Sequence, residues 1–173
     1  MIDLVEKQTD DLFERLFPEG KEKLHAAYLK ELMELQAEML KEEQLDLPLV
    51  HEFTPGIYMR TIFMPAGARV IGKTHKTTHF NIIHSGRANV MIDGEWKELK
   101  APDMFVSGAD VKKVLYILED MTWSTVHHIE DDWLVMDGEE IDIGKSVEQL
   151  EPRMVCSTEE ELQLVQTELE RLT

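Results

Sequence analysis

A period-two hydrophobic pattern fills the middle of the chain, from about residue 50 to 129, and constrains the fold most strongly. Between residues 57 and 64 two sets of side chains alternate: Ile57, Met59, Thr61 and Phe63 against Tyr58, Arg60, Ile62 and Met64. Turn sequences separate further short strands, predicted near 78–84, 87–93, 95–100, 103–106, 111–118 and 121–128. Asp93-Gly94 is typical of a two-residue hairpin. Many short strands at this spacing indicate an antiparallel sandwich or barrel.

Helical patterns lie on both sides of the strand region. Upstream, apolar residues recur at spacings of three and four: Leu24, Tyr28, Leu32, Leu35 and Met39. Pro18-Glu19-Gly20 divides this stretch into a short and a longer helix. The arm either packs on its own domain or joins two copies of the chain, and both interpretations stay open. Downstream, Ser157 and Glu160 match a capping box that begins an amphipathic helix.

These patterns predict a mainly β protein in three segments. We expect a helical N-terminal arm at 1–48, an antiparallel β-barrel at 49–129, and an acidic loop with a C-terminal amphipathic helix at 130–173. A dimer is expected, with the helical ends as candidate interfaces.

Composition excludes several classes of function. The chain has 18 Lys and Arg against 35 Asp and Glu, a formal charge of −17, which argues against binding nucleic acid or anionic lipid. No apolar run approaches the roughly 20 residues of a membrane helix, and the first residues lack the features of a signal peptide. The single Cys156 excludes an internal disulfide and is typical of a reducing compartment. A cytoplasmic location is therefore expected.

Three histidines in the strand region carry the chemical prediction. His75 and His79 lie at a turn and the start of the following strand, and His127 lies near the end of the last strand. Alternation places His79 on one face of its strand and His127 on one face of the other, so the three imidazoles can meet inside a barrel. Such a group suits a divalent transition metal: zinc, iron, nickel, manganese or copper. The alternative is that all three are ordinary hydrogen-bonded histidines, as we expect for His25, His51 and His84.

Further side chains are candidates for binding a ligand beside that metal. Asn81 could orient the imidazoles through hydrogen bonds. Arg60 and Lys113 suit a carboxylate or phosphate, although strand-edge cations are more often solvated. Tyr116 and Trp123, expected at inward positions, could stack on a planar ligand or be simple core aromatics.

The strand region resembles the cupin superfamily over roughly residues 55 to 129. Gly86 fits the terminal glycine of the first cupin motif, and counting back places His79 at the usual Glu position, His75 at the second His and Lys73 at the first. In the second motif Val111 stands where the family has a His. The resemblance implies a cupin-like jelly roll with metal-dependent chemistry of a dioxygenase or isomerase type, if the protein is an enzyme.

A narrower likeness covers residues 108–127, which are similar to small cupin-like proteins of tailed bacteriophages. The matching residues are Lys112-Lys113, Tyr116, Glu119-Asp120 and the strand from Trp123 to His127. This resemblance implies that His127 is a site residue. If the protein is phage-encoded, its expected location is the host cytoplasm.

Three hypotheses for function follow. The first is a metal-binding cupin-like protein that takes a small molecule, and uncharged His ligands favour an anion. The second is a non-catalytic barrel that sequesters a signalling nucleotide and so blunts host defence. The third is a structural or assembly role, with the helical ends as interfaces.

Overall fold

The computed structural model describes residues 21–92 and 95–171. Its helices are α1 (Lys21–Met39), α2 (Ile143–Met154) and α3 (Thr158–Arg171), and Asp131–Trp133 forms a 3-10 turn. The strands are β1 (Leu49–Thr54), β2 (Ile57–Met64), β3 (Arg69–Ile71), β4 (His79–Ile92), β5 (Glu95–Lys100), β6 (Asp103–Ser107), β7 (Lys113–His128), β8 (Met136–Asp137) and β9 (Glu140–Ile141). Within the described ranges, none of the helices combines the length and the apolar character needed to cross a bilayer.

The chain divides into two compact units. The β unit, Leu45–Thr158, contains every described strand together with α2. The helical unit contains the described residues up to Gln44 and from Glu159. In α1, Tyr28 and Leu32 of the predicted apolar stripe are buried. The predicted break at Pro18-Glu19-Gly20 lies outside the described residues.

The β unit is built on one antiparallel sheet in the order β1-β2-β7-β4-β5, with β3 paired to β7 and β6 paired to β4. Period-two alternation gives this sheet an inward face, which carries one continuous apolar core: Met64, Ala68, Ile83, Ala88, Val90, Leu115, Ile117, Met121 and Trp123. The predicted fold class is confirmed: the protein is mainly β, antiparallel and flanked by helices, consistent with a jelly roll.

Two predicted strand boundaries are wrong, because β4 and β7 run through them as strands of 14 and 16 residues. The sequence His84-Ser85-Gly86 is not a turn between two strands but an irregularity in β4, where its register with β7 shifts between Ile83 and Ala88. Glu119-Asp120 also stays within β7. Each long strand pairs with different partners along its length, so one strand crosses positions where local turn chemistry predicts a stop.

Gly86 is required by this bulge, which leads to a first prediction. Its φ is +88°, and an added Cβ would lie 2.4 Å from the carbonyl oxygen of Asp120 and 2.7 Å from Cα of Met121. Because neither backbone group can yield, we expect Gly86→Ala to lower the free energy of unfolding by about 3 kcal/mol or more. Urea denaturation measures this loss.

Gly67 provides the matched control for that substitution. Its φ is +85°, but an added Cβ would have nothing within 4 Å. Gly67→Ala therefore carries only the backbone strain, about 1 to 2 kcal/mol. Equal losses for the two variants would show that the close approach at Gly86 does not matter.

The segment after β7 is more ordered than predicted. The expected acidic loop contains the β8–β9 hairpin and α2, which begins with the Asp142 carboxylate accepting a hydrogen bond from the Lys145 amide at 3.0 Å. Helix α2 buries Leu150 and Met154 against Tyr58, so this segment is part of the β unit. At the chain's end, α3 begins at Thr158, which agrees with the predicted helix start.

The Asp93-Gly94 turn itself lies outside the described residues. The strands on either side of it, β4 and β5, pair antiparallel with Ile92 opposite Glu95. This pairing is what a hairpin at that position predicts.

Candidate metal centre

The sheet brings His79 and His127 to the same place. His79 is the first residue of β4, and His127 lies at the end of β7, antiparallel to it. In β7 the inward residues have odd numbers, since Leu115, Ile117 and Trp123 are core residues. His127 is therefore inward, as the alternation in the sequence predicts.

His75 reaches the same place from outside the sheet, held by backbone hydrogen bonds. It forms an isolated antiparallel bridge with Val155, after the end of α2. The Lys76 amide donates to the Met154 carbonyl and the Cys156 amide donates to the Thr74 carbonyl, both at 2.8 Å. The chain after α2 thus fixes one of the three imidazoles.

The three imidazoles form one buried cluster. Their ring centroids are separated by 4.1 Å for His75 and His79, 4.8 Å for His79 and His127, and 5.1 Å for His75 and His127. Each offers one ring nitrogen such that all three nitrogens lie within 4.8 Å of one another. The side chains are 7%, 2% and 2% exposed, respectively. The convergence predicted from the sequence is present.

One nitrogen of each ring is buried without a hydrogen-bond partner: Nδ1 of His75, Nε2 of His79 and Nδ1 of His127. His79 shows why such an atom can bind a metal. Its Nδ1 lies 2.9 Å from the carbonyl oxygen of Thr77, so Nδ1 carries the proton and donates it. Nε2 then keeps its lone pair, the form that coordinates metal. A buried nitrogen with a free lone pair inside a cluster of imidazoles is what a cation site requires.

The environment keeps these imidazoles uncharged. Burial is the main cause, and it lowers the pKa of His75 to about 2 and that of His127 to about 3. The neighbouring imidazoles and the positive charges of Arg60 and Lys113 lower both further. The pKa of His79 is also lowered, mainly by burial. Neutral imidazole is the ligating state, so protons compete little for this site at neutral pH.

These pKa values predict a loss of stability in acid when no metal is present. The unfolded chain binds protons at His75 and His127 as pH falls through 6.5. In the folded chain His127 binds one only at about pH 3 and His75 only at about pH 2. Stability is therefore fully present above pH 6.5 and falls below it. When the pH falls from 7.5 to 5.5, we expect these two groups to lower the free energy of unfolding by about 3 kcal/mol.

Urea denaturation at both pH values, with a chelator present, measures this loss. The double variant His75→Gln/His127→Gln is the control, since it retains every other titrating group. We expect its pH dependence to be weaker by the same amount. A double variant that follows the wild-type curve would contradict the assignment.

Arg60 lies on the inward face beside the cluster. In the β2–β7 register Tyr58 pairs with His127 and Arg60 pairs with Thr125. Directly opposed residues of an antiparallel pair share a face. Arg60 and Thr125 therefore lie on the same face as Tyr58 and His127, two residues away along each strand. Lys113, at the start of β7, is 8% exposed and also acts on the imidazoles by its charge.

Asn81 and Trp123 are bonded to each other rather than to the histidines. The indole Nε1 of Trp123 donates to Oδ1 of Asn81 at 3.1 Å, and Nδ2 of Asn81 donates to Oγ of Ser107 at 2.9 Å. Trp123 also packs edge-on against Phe105, with ring centroids 5.7 Å apart. These contacts join β4, β6 and β7 on the inward face next to His79 and His127.

Tyr116 does not occupy the inward position predicted for it. It lies between Leu115 and Ile117, both core residues on the inward face of β7. Alternation therefore places Tyr116 on the outward face, where it is half-buried opposite Arg69 and Asn89. The prediction is wrong because it did not use the core residues Leu115 and Ile117 to decide which face of β7 is inward.

Sequence reasoning missed Tyr58 as part of the site. Its ring centroid lies 6.2 Å from that of His127, and its hydroxyl is joined to Nδ1 of His51 by a 2.7 Å hydrogen bond. Burial raises the pKa of Tyr58 to about 12, so the hydroxyl stays protonated. The inward alternation of β2 was the available signal.

No protein-family model matches the chain, and no curated protein does. Solved structures with a similar fold include the cupin domain of Cnp3 from Schizosaccharomyces pombe, at 16% identity and TM-score 0.43, over 53% of this chain and 72% of that one. Another is the cupin domain of an XRE family transcriptional regulator from Enterobacter cloacae, at 17% identity and TM-score 0.43, over 49% of this chain and 98% of that one.

A third is salicylate 1,2-dioxygenase from Pseudoaminobacter salicylatoxidans, solved as adducts with gentisate, at 16% identity and TM-score 0.43, over 53% of this chain and 28% of that one. At these values the three structures identify neither a ligand nor a reaction for this chain. The likeness of residues 108–127 to phage proteins has no support among these findings and stays a prediction.

Proposed function

We propose that the protein binds one divalent transition metal through His75, His79 and His127, and that the metal and its surroundings hold a small anionic molecule. The observation that carries this proposal is the convergence of three buried imidazoles, each of which offers one ring nitrogen within 4.8 Å of the others. Leaving polar atoms buried and unpaired costs about 1 to 3 kcal/mol each. A bound cation would give each nitrogen that coordinates it a partner.

The charge of the site supports an anionic ligand. Among the described residues, the group of converging metal-binding side chains contains imidazoles alone and no carboxylate. Three neutral ligands leave a divalent ion its full charge, and Arg60 and Lys113 add positive charge nearby. Zinc, iron, nickel and manganese all accept such ligands. When bound, the ion would supply Lewis-acid chemistry or activate oxygen.

Nucleotide sequestration and an assembly role find no specific support in the described residues. A homodimer, a cytoplasmic location and a phage origin stay predictions from the sequence. The metal proposal depends on none of them.

Metal content tests the proposal. The untagged protein is expressed with transition metals supplied, dialysed, and analysed by inductively coupled plasma mass spectrometry. We expect about one equivalent of a transition metal per chain. A content below about a tenth of an equivalent, together with no uptake on reconstitution, would contradict it.

A further inference from the structure

Besides the three imidazole nitrogens, one other polar side-chain atom is buried without a partner in the described part of the β unit. This atom is Oγ1 of Thr125. Thr125 lies two residues before His127 on β7, and both are inward. All four unpaired atoms in the described part of the β unit thus belong to one inward patch, and one of them is a hydroxyl and not an imidazole nitrogen.

Arg60 is the second observation. It pairs with Thr125 across the β2–β7 register, so both side chains project from the same face of the sheet. Arg60 is half-buried, and its guanidinium has neither a hydrogen bond nor an ion pair with any of the residues described. An arginine held on an inward face without a carboxylate partner is unusual, because its charge is costly to desolvate.

Glu151 of α2 interacts with the charge of Arg60, but it forms no ion pair with it. Glu151 of α2 is paired with Lys73, to which its carboxylate is hydrogen-bonded. Its charge is therefore already partnered at the surface of the unit. The guanidinium of Arg60 remains available to a ligand.

We propose that Arg60 and Thr125 form a subsite for the carboxylate of a small organic acid, whose second donor group reaches the metal at the three histidines. The planar guanidinium fork matches a carboxylate and presents two parallel N–H groups to it. The Thr125 hydroxyl adds a donor to the same oxygen pair. This inference rests on the proposed metal site and specifies the class of molecule that the site takes.

A 2-hydroxy or 2-oxo acid is the simplest molecule with this chemistry. Its carboxylate and the adjacent oxygen are close enough to reach neighbouring partners, one on the protein and one on the metal. A neutral diol of the same size provides oxygen atoms for the metal but has no charged group to pair with Arg60. The site should therefore distinguish acids from diols.

The test uses the full chain loaded with Co²⁺, whose visible absorption changes when a ligand enters its coordination sphere. Glycolate is the probe and ethylene glycol is its neutral counterpart. We expect glycolate to shift the cobalt spectrum saturably and ethylene glycol to leave it unchanged. Arg60→Gln should raise the Kd for glycolate about 10- to 100-fold. Thr125→Val should raise it by a smaller factor. Thr125→Ser, which keeps the hydroxyl, should have the wild-type Kd.

Arg87→Gln is the matched control, since Arg87 pairs with Glu98 and Glu119 on the exposed surface. It should leave the Kd for glycolate unchanged. Cobalt uptake is read from the same spectra before glycolate is added. If the wild type and Arg60→Gln both bind cobalt but respond to glycolate equally, or not at all, the acid subsite is wrong and the metal site stands. If the wild type binds no cobalt, both proposals are wrong.

Discussion

Saturating the metal-free protein with Zn²⁺ is expected to raise the Tm of the β unit by about 10 °C or more. A ligand that binds the folded chain alone contributes about 4 kcal/mol at a concentration of 1,000 times its Kd. In a domain of about 100 residues, each kcal/mol shifts the Tm by roughly 4 to 8 °C. At the proposed site zinc would bind one nitrogen from each of three buried imidazoles, so it would stabilise the folded chain and have little effect on the unfolded chain.

Calorimetry with and without Zn²⁺ measures this shift. Mg²⁺ and Ca²⁺ are the controls, since both prefer oxygen ligands and should leave the Tm unchanged. A Tm that responds equally to Zn²⁺ and Mg²⁺ would indicate binding to the acidic surface, which the net charge of −17 makes available. No response to any transition metal would contradict the proposed site.

Removing any one of the three imidazoles is expected to lower zinc affinity at least about 100-fold. Loss of a group that only supports a metal ligand typically costs 10- to 100-fold, so loss of a ligand itself should cost no less. His79→Ala and His127→Ala each remove a nitrogen from the cluster. Competition with a chromophoric chelator measures the affinity.

His128→Ala is the matched control for these variants. His128 is adjacent to His127 in β7, but it is exposed and lies on the opposite face of the strand. Its substitution should leave zinc affinity unchanged. If His128→Ala weakened binding as much as His127→Ala, zinc would be held at the surface and not inside the sheet.

Much of the site could be predicted because it depends on local alternation. The period-two pattern identifies the strands and places His79 and His127 inward without any knowledge of tertiary contacts. The same pattern puts Arg60 in one row with Tyr58, and the register confirms that this row faces His127. These residues lie on strands, where sequence distance converts directly into position.

The position of His75 depends on contacts that the pattern does not encode. Its backbone bridges to Val155, which lies 80 residues later and follows a helix that the sequence analysis did not predict. Helix α2 has only 12 residues and contains Pro152 near its end, and both features argue locally against a helix. Long strands were also divided wrongly, because Gly86 signals a turn locally but serves a bulge in a continuous strand.

X-ray absorption spectroscopy of the zinc-loaded protein tests the central claim most directly, because it reports the atoms bound to the metal. We predict three imidazole nitrogens at about 2.0 to 2.1 Å from zinc, with the remaining ligand a light atom from water or buffer. Substituting His79 should reduce the imidazole count by one. A coordination shell of oxygen atoms without imidazole would contradict the account.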